Sequence, residues 1–79
     1  MLQVRKKTGL VQEFNPNNII SSICENTKIE LSNYKKNRII ELVLDRVRDR
    51  EVIDTKELQS IIKESLSEVD YDIARLYNI

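Results

Sequence analysis

The 79 residues predict an α+β fold: a small β-hairpin with a short third strand, packed on a four-helix bundle. Three observations point there. Apolar and polar residues alternate on both sides of the single glycine, Gly9, as in a hairpin. Four later stretches carry apolar residues at helical spacing, each behind a start signal. Val52-Ile53 is an isolated β-branched pair just before one of those starts, suited to a small added strand.

In the hairpin, Leu2, Val4 and Lys6 alternate with Gln3, Arg5 and Lys7, and Leu10, Gln12 and Phe14 alternate with Val11 and Glu13. A two-residue Thr8-Gly9 loop would pair Lys6 with Val11. A three-residue loop, Lys7-Thr8-Gly9 with Gly9 in the left-handed region, pairs Lys6 with Leu10. The second register is preferred because it gathers Leu2, Val4, Leu10 and Phe14 on one face. It also puts Lys6 and Gln12 on that face, near its rim, where an ammonium needs an anion or a route to water.

The first helix starts with Asn15 as N-cap and Pro16 at the first helical position, where a missing N–H costs nothing. Ile19, Ile20, Ile23 and Cys24 form its apolar stripe and Asn26-Thr27 ends it. Cys24 reads as a buried small hydrophobe. Ser32 caps the second helix, which runs to about Arg48 with Ile40, Val43, Leu44 and Val47 as its buried face. The alternating Arg46, Arg48 and Arg50 read as an ion-paired surface, because the interleaved acids neutralise their field. Asp54-Thr55-Lys56-Glu57 reads as a capping box with Glu57 reaching back. The third helix follows, with Leu58, Ile61, Ile62 and Leu66 inward. Ser67 to Asp70 reads as a break, Asp70 or Asp72 caps a fourth helix, and no stop signal precedes Ile79.

Composition removes whole classes of function. With no His and one Cys, the chain lacks the commonest general base, a disulfide and a zinc cluster, so neither catalytic residues nor metal ligands are expected. One Gly excludes a GxxxxGK[ST] loop and a GxGxxG fingerprint. No apolar run approaches the ~20 residues of a membrane span, and no signal peptide is evident; the expected setting is the cytoplasm, away from membranes. Thirteen basic against thirteen acidic residues argue against nucleic acid as a partner. That neutrality is uneven. Residues 1–38 hold seven basic and three acidic residues, a net +4, and residues 39–79 hold six and ten, a net −4. A local positive site for one anion is therefore compatible with zero net charge.

One constellation carries chemistry. A helix start offers free N–H groups and a positive dipole end to an anion. Thr55 lies in the first turn of the third helix and Gln59 one turn later on the same side. If the hairpin covers the starts of the first and third helices, Lys6, Thr55 and Gln59 converge on a phosphate. Val4, Phe14 and Ile19 then wall a base, and Gln12 and Asn15 read its edge.

Val4-Arg5-Lys6-Lys7-Thr8-Gly9, then Phe14-Asn15, then Asn18-Ile19, resemble the opening of the ATP-cone domain. Ile53-Asp54-Thr55-Lys56-Glu57-Leu58-Gln59 resembles its second landmark, and Tyr71-Asp72-Ile73-Ala74-Arg75-Leu76-Tyr77 its ending. The resemblance implies that residues 1–79 are a single cone-like domain, an N-terminal piece of a longer chain. It implies a module that binds ATP or dATP, with or without Mg, and controls the overall activity of a ribonucleotide reductase. The ending and the direct start at the hairpin look most like the anaerobic class. The alternatives are the nucleotide sensor of a repressor of reductase genes, which carries a zinc ribbon that one Cys cannot make, and a cone used only for protein interaction. Implied partners are the nucleotide and the rest of the reductase chain or another subunit, with a homo-oligomer as a further option.

The implied nucleotide-binding residues are Val4, Lys6, Lys7, Gln12, Phe14, Asn15, Asn18, Ile19, Thr55 and Gln59. Within that set, Lys6 corresponds to the phosphate-contacting strand lysine and Thr55 to the helix-start threonine. Val4, Phe14 and Ile19 correspond to the base pocket, and Asn15 to a polar group near the adenine. Thr8 stands where the family has a turn Asp, Gln12 where Glu is common, and Asn18 where Lys is common. Gln59 occupies the place of a His or Asp. A further basic residue is expected shortly after Ile79.

Overall fold

The computed structural model describes residues 2–77. Along the chain run β1 (Gln3–Arg5), β2 (Val11–Glu13), α1 (Asn17–Thr27), α2 (Asn33–Arg46), β3 (Val52–Asp54), α3 (Thr55–Val69) and α4 (Tyr71–Leu76). This is the α+β fold of three short strands and four helices that the sequence predicts. Ile79, with its missing stop signal, lies outside the described residues.

The sheet order is β2-β1-β3, with β2 antiparallel and β3 parallel to β1. Gly9 sets the hairpin register. Its φ of +89° is open to glycine at little cost, and its N–H donates to the Lys6 carbonyl at 2.8 Å. The Lys6 N–H donates to the Leu10 carbonyl at 2.8 Å, and Val4 faces Gln12, as the three-residue loop requires. Leu10 departs from expectation. It shares the inner side with Val4 but is 56% exposed, because the hairpin tip extends past the helices. On the other side of β1, Arg5 pairs with its cross-strand partner Asp54 at 3.5 Å.

Helix α3 is the central element, packed against α2, α4 and β3. The core gathers Ile19 and Ile23 of α1, Leu31 just before α2, Ile39 and Val43 of α2, and Ile62 and Leu66 of α3. Ile73, Ala74 and Tyr77 close it at the α4 end. Cys24 is half-buried and packs against this cluster. Alternation places Val4 and Ile53 side by side, so the sheet's inner face meets the helices.

Local signals explain most of the boundaries. Asn15 Oδ1 accepts from the Asn17 N–H at 3.0 Å, and Pro16 already has helical dihedrals, so the two act as cap and first residue although α1 is counted from Asn17. Ser32 Oγ accepts from the Lys35 N–H at 3.3 Å and starts α2. At the end of α1, Lys28 takes a left-handed φ of 61° and donates its N–H to the Cys24 carbonyl.

Four expectations are corrected. The buried face of α2 is Ile39, Val43 and Val47; Ile40 is half-buried and Leu44 is 41% exposed. The helix itself stops at Arg46, with Val47 as its C-cap. The capping box does not form. Asp54 holds the N-cap position without a side-chain bond, and Glu57 instead accepts from Arg50 Nη2 at 2.8 Å. Ser67 to Val69 are helical, and the break is Asp70 alone, whose Oδ1 accepts from the Ile73 N–H at 3.2 Å. The arginines behave as expected. Arg46 pairs with Glu68, Arg48 with Asp45 and Arg50 with Glu57. No helix among the described residues is long and apolar enough to cross a membrane.

Candidate functional site

The hairpin lies over the starts of α1 and α3 and leaves a cleft of about 190 Å³ between them. Val4, Lys6, Gln12, Phe14, Asn15, Asn18, Ile19, Thr55 and Gln59 all line it. Lys7 does not; it lies in an adjoining concavity with Lys6, Thr55, Lys56 and Gln59. The structure therefore brings nine of the ten sequence-predicted residues to one cleft and the tenth to its mouth.

The remaining lining residues are Glu13, Ser22, Leu58 and Ile62; the sequence places Leu58 and Ile62 on the core face of the third helix and none of the four in the site. For three of them a signal exists. Thr55, Leu58, Gln59 and Ile62 follow the i, i+3, i+4, i+7 spacing of one helix face, and Ser22 lies one turn beyond Asn18. Glu13 falls outside such a pattern, because alternation points it away from Gln12 and Phe14.

The cleft has an apolar end and a polar, basic end. Ile19, Ile62, Leu58, Phe14 and Val4 form the first, and burial of Ile19 and Ile62 to 1% and 3% fixes its floor. At the other end Lys6 and Lys7 come from the hairpin and Lys56 from the first turn of α3, and none makes an ion pair among the described residues. Because Asp54 turns to Arg5, no carboxylate caps the first turn of α3, and its N–H groups stay available. A positive field therefore gathers where the sequence places its excess of basic residues.

Hydrogen bonding already assigns some of the polar groups. The Thr55 hydroxyl donates to the Arg5 carbonyl at 3.1 Å, which ties the start of α3 to β1. Its proton is thus committed to the β1 backbone, and the register Arg5↔Asp54 aims the Thr55 N–H at the same strand, so the N–H groups left for an anion are those after Thr55. Asn15 uses Oδ1 on the Asn17 N–H, so its amide presents Nδ2 donors. One ionisable pair flanks the region. Arg50 holds the Glu57 carboxyl below the usual carboxylate range, chiefly by its hydrogen bond, and Glu57 in turn raises Arg50. Glu57 lies in the first turn itself, but as an anion paired with Arg50 it does not cap the turn's N–H groups.

The chemistry available is binding. The cleft holds one carboxylate, Glu13, and lacks a nucleophile activated by a base. Among the described residues, no three His, Cys, Asp or Glu side chains converge as a metal site would require.

A family model for the ATP cone domain matches residues 2–79. The chain belongs to the ATP-cone family. Cones are nucleotide-binding regulatory domains, not catalytic ones, and bind nucleotides as allosteric effectors. No curated protein matches the chain. The apolar and basic ends of the cleft, built from the hairpin and two helix starts, lie within the matched residues.

Proposed function

We propose that this cone binds ATP and dATP in the cleft under the hairpin and so sets the overall activity of a ribonucleotide reductase of which it is the N-terminal domain. The observation that carries the binding reading is the convergence of Val4, Lys6, Gln12, Phe14, Asn15, Asn18, Ile19, Thr55 and Gln59 on one cleft beside an uncapped helix start.

Size supports a partial fit. A cleft of about 190 Å³ is below the ~300 Å³ of pockets that enclose a drug-sized ligand. The base enters between Phe14, Val4 and Ile19, and the phosphates stay outside over Lys6, Lys7, Lys56 and the first N–H groups of α3. Gln12 favours adenine, since a side-chain amide can accept from the exocyclic amine and donate to a ring nitrogen together. Asn15, whose Oδ1 is engaged by the Asn17 N–H, adds an Nδ2 donor. Mg, accompanying the nucleotide, would take most of its oxygen ligands from the phosphates and water and needs little from the protein.

Regulation requires that ATP and dATP stabilise different docked states of the larger protein to different extents. Amide chemical-shift mapping of the 79-residue chain tests the site. ATP is expected to move Lys6, Gln12, Phe14, Asn15, Thr55 and Gln59, and shifts confined to the outer face of α2 would overturn this placement. Reading the gene beyond Ile79 tests the parent: a reductase barrel supports the assignment, and a DNA-binding or unrelated domain refutes it.

A further inference from the structure

We infer that Tyr77 is a positioning residue that couples the occupancy of the cleft to the end of α4, through its hydroxyl contact with Ser22. The inference rests on the nucleotide reading of the cleft.

Tyr77 is fully buried, yet its hydroxyl has a polar partner: Ser22 Oγ lies 3.0 Å away. Ser22 also lines the cleft. One hydroxyl thus faces the ligand space on one side and a buried phenol on the other. The rest of Tyr77 is tied to two other helices. Its N–H donates to the Ile73 and Ala74 carbonyls at 3.2 and 3.1 Å and closes α4. Its carbonyl accepts from Lys63 Nζ of α3 at 3.1 Å. A single residue therefore joins α1, α3 and α4, and α1 and α3 are the helices whose starts form the cleft.

The coupling follows from the hydroxyl inventory. A serine hydroxyl has one proton to donate and two lone pairs to accept with, and so does a phenol, apart from its preference to donate. When the cleft holds only water, either hydroxyl can donate to the other. A ligand acceptor beside Ser22 draws the serine proton into the cleft. Ser22 then accepts from Tyr77, whose bond is polarised and strengthened in the low-dielectric core. The occupied state thereby holds Tyr77, and with it the last turn of α4, more firmly than the empty state.

Hydrogen exchange on the 79-residue chain, with and without saturating ATP, tests this. Wild type is expected to show amides of Ala74 and Tyr77 slowed about fivefold or more by ATP, the lower end of ordinary coupling between sites. Tyr77→Phe removes the hydroxyl without touching the cleft lining. It is expected to bind ATP within about threefold of wild type while losing the ATP-induced slowing. Ser22→Ala is expected to lose the slowing as well. If ATP slows these amides equally in wild type and both variants, or binds wild type without slowing them, the coupling is refuted while the nucleotide reading stands. If wild type does not bind ATP, both fall.

Discussion

Replacing Lys6 by Met removes one charge from the mouth of the cleft and little else. The backbone bond from the Lys6 N–H to the Leu10 carbonyl survives, and the aliphatic stem is retained in kind. Lys6 is exposed and makes no ion pair among the described residues, so the folded chain loses no partner. Stability in the absence of nucleotide should change by less than about 0.5 kcal/mol, as for other surface substitutions that break no contact. Binding should respond differently. A hydrogen bond to a charged group is worth roughly 1.5–3 kcal/mol. Solvent at the mouth discounts that to the lower end, about 1.5 kcal/mol, or about a tenfold loss of affinity. Titration calorimetry with ATP at two ionic strengths reads both the loss and its origin. Lys6→Met should weaken binding about tenfold and flatten its salt dependence, because one screened charge has gone. An affinity within about twofold of wild type would refute the phosphate role. A loss of more than about 1 kcal/mol of stability without ligand would show instead that Lys6 holds the hairpin.

Three further outcomes follow from the packing and the charge pairs. Leu66→Ala opens a cavity at a side chain that is 0% exposed, and should cost roughly 2–5 kcal/mol in a urea titration. Gly9→Ala meets nothing within 4 Å, so its cost of roughly 1–2 kcal/mol is that of a left-handed backbone alone. It should appear as a loosened hairpin in exchange rates before it appears in the helices. Acid should destabilise the fold through Asp70 and Glu57. Lys35 and the Ile73 N–H hold the Asp70 carboxyl below its ordinary value, and Arg50 does the same for Glu57. A carboxyl lowered in the folded state stabilises fully above its unfolded pKa, and that stability drains away as pH falls through the folded pKa. Asp70→Asn should therefore flatten the acid limb of a stability–pH curve and leave the curve's shape above neutral pH unaltered.

The sequence is most legible where one geometry satisfies every constraint. Gly9 and the choice between two loops settle the hairpin register, because one register leaves Leu2 and Phe14 on opposite faces. Helix α3 reads cleanly for the same reason: Leu58, Ile62 and Leu66 allow a single apolar side, and the cleft residues Thr55 and Gln59 follow from it. Helix α2 is less legible, because Ile39, Ile40, Leu42, Val43 and Leu44 are all apolar and offer several overlapping stripes. Contact with α3 selects Ile39 over Ile40, and local spacing carries no trace of that choice. The capping box fails by tertiary competition. The turn after α2 brings Arg50 to Glu57, and β3 brings Asp54 beside Arg5, so both acids find cations instead of backbone N–H groups. The same competition frees the start of α3 for a ligand. The contact of Ser22 with Tyr77 leaves no local trace, because its partner is 55 residues away.

The central claim is that the cleft under the hairpin takes an adenine nucleotide. Isothermal titration of the 79-residue chain with ATP and dATP tests it most directly, with thermal melting on the same samples. A ligand that binds only the folded state must raise the melting temperature as its concentration passes the dissociation constant. Saturable heat is expected for both nucleotides, with a matching rise in melting temperature and weaker binding of both by Lys6→Met. No heat and no shift in melting at millimolar nucleotide would contradict it.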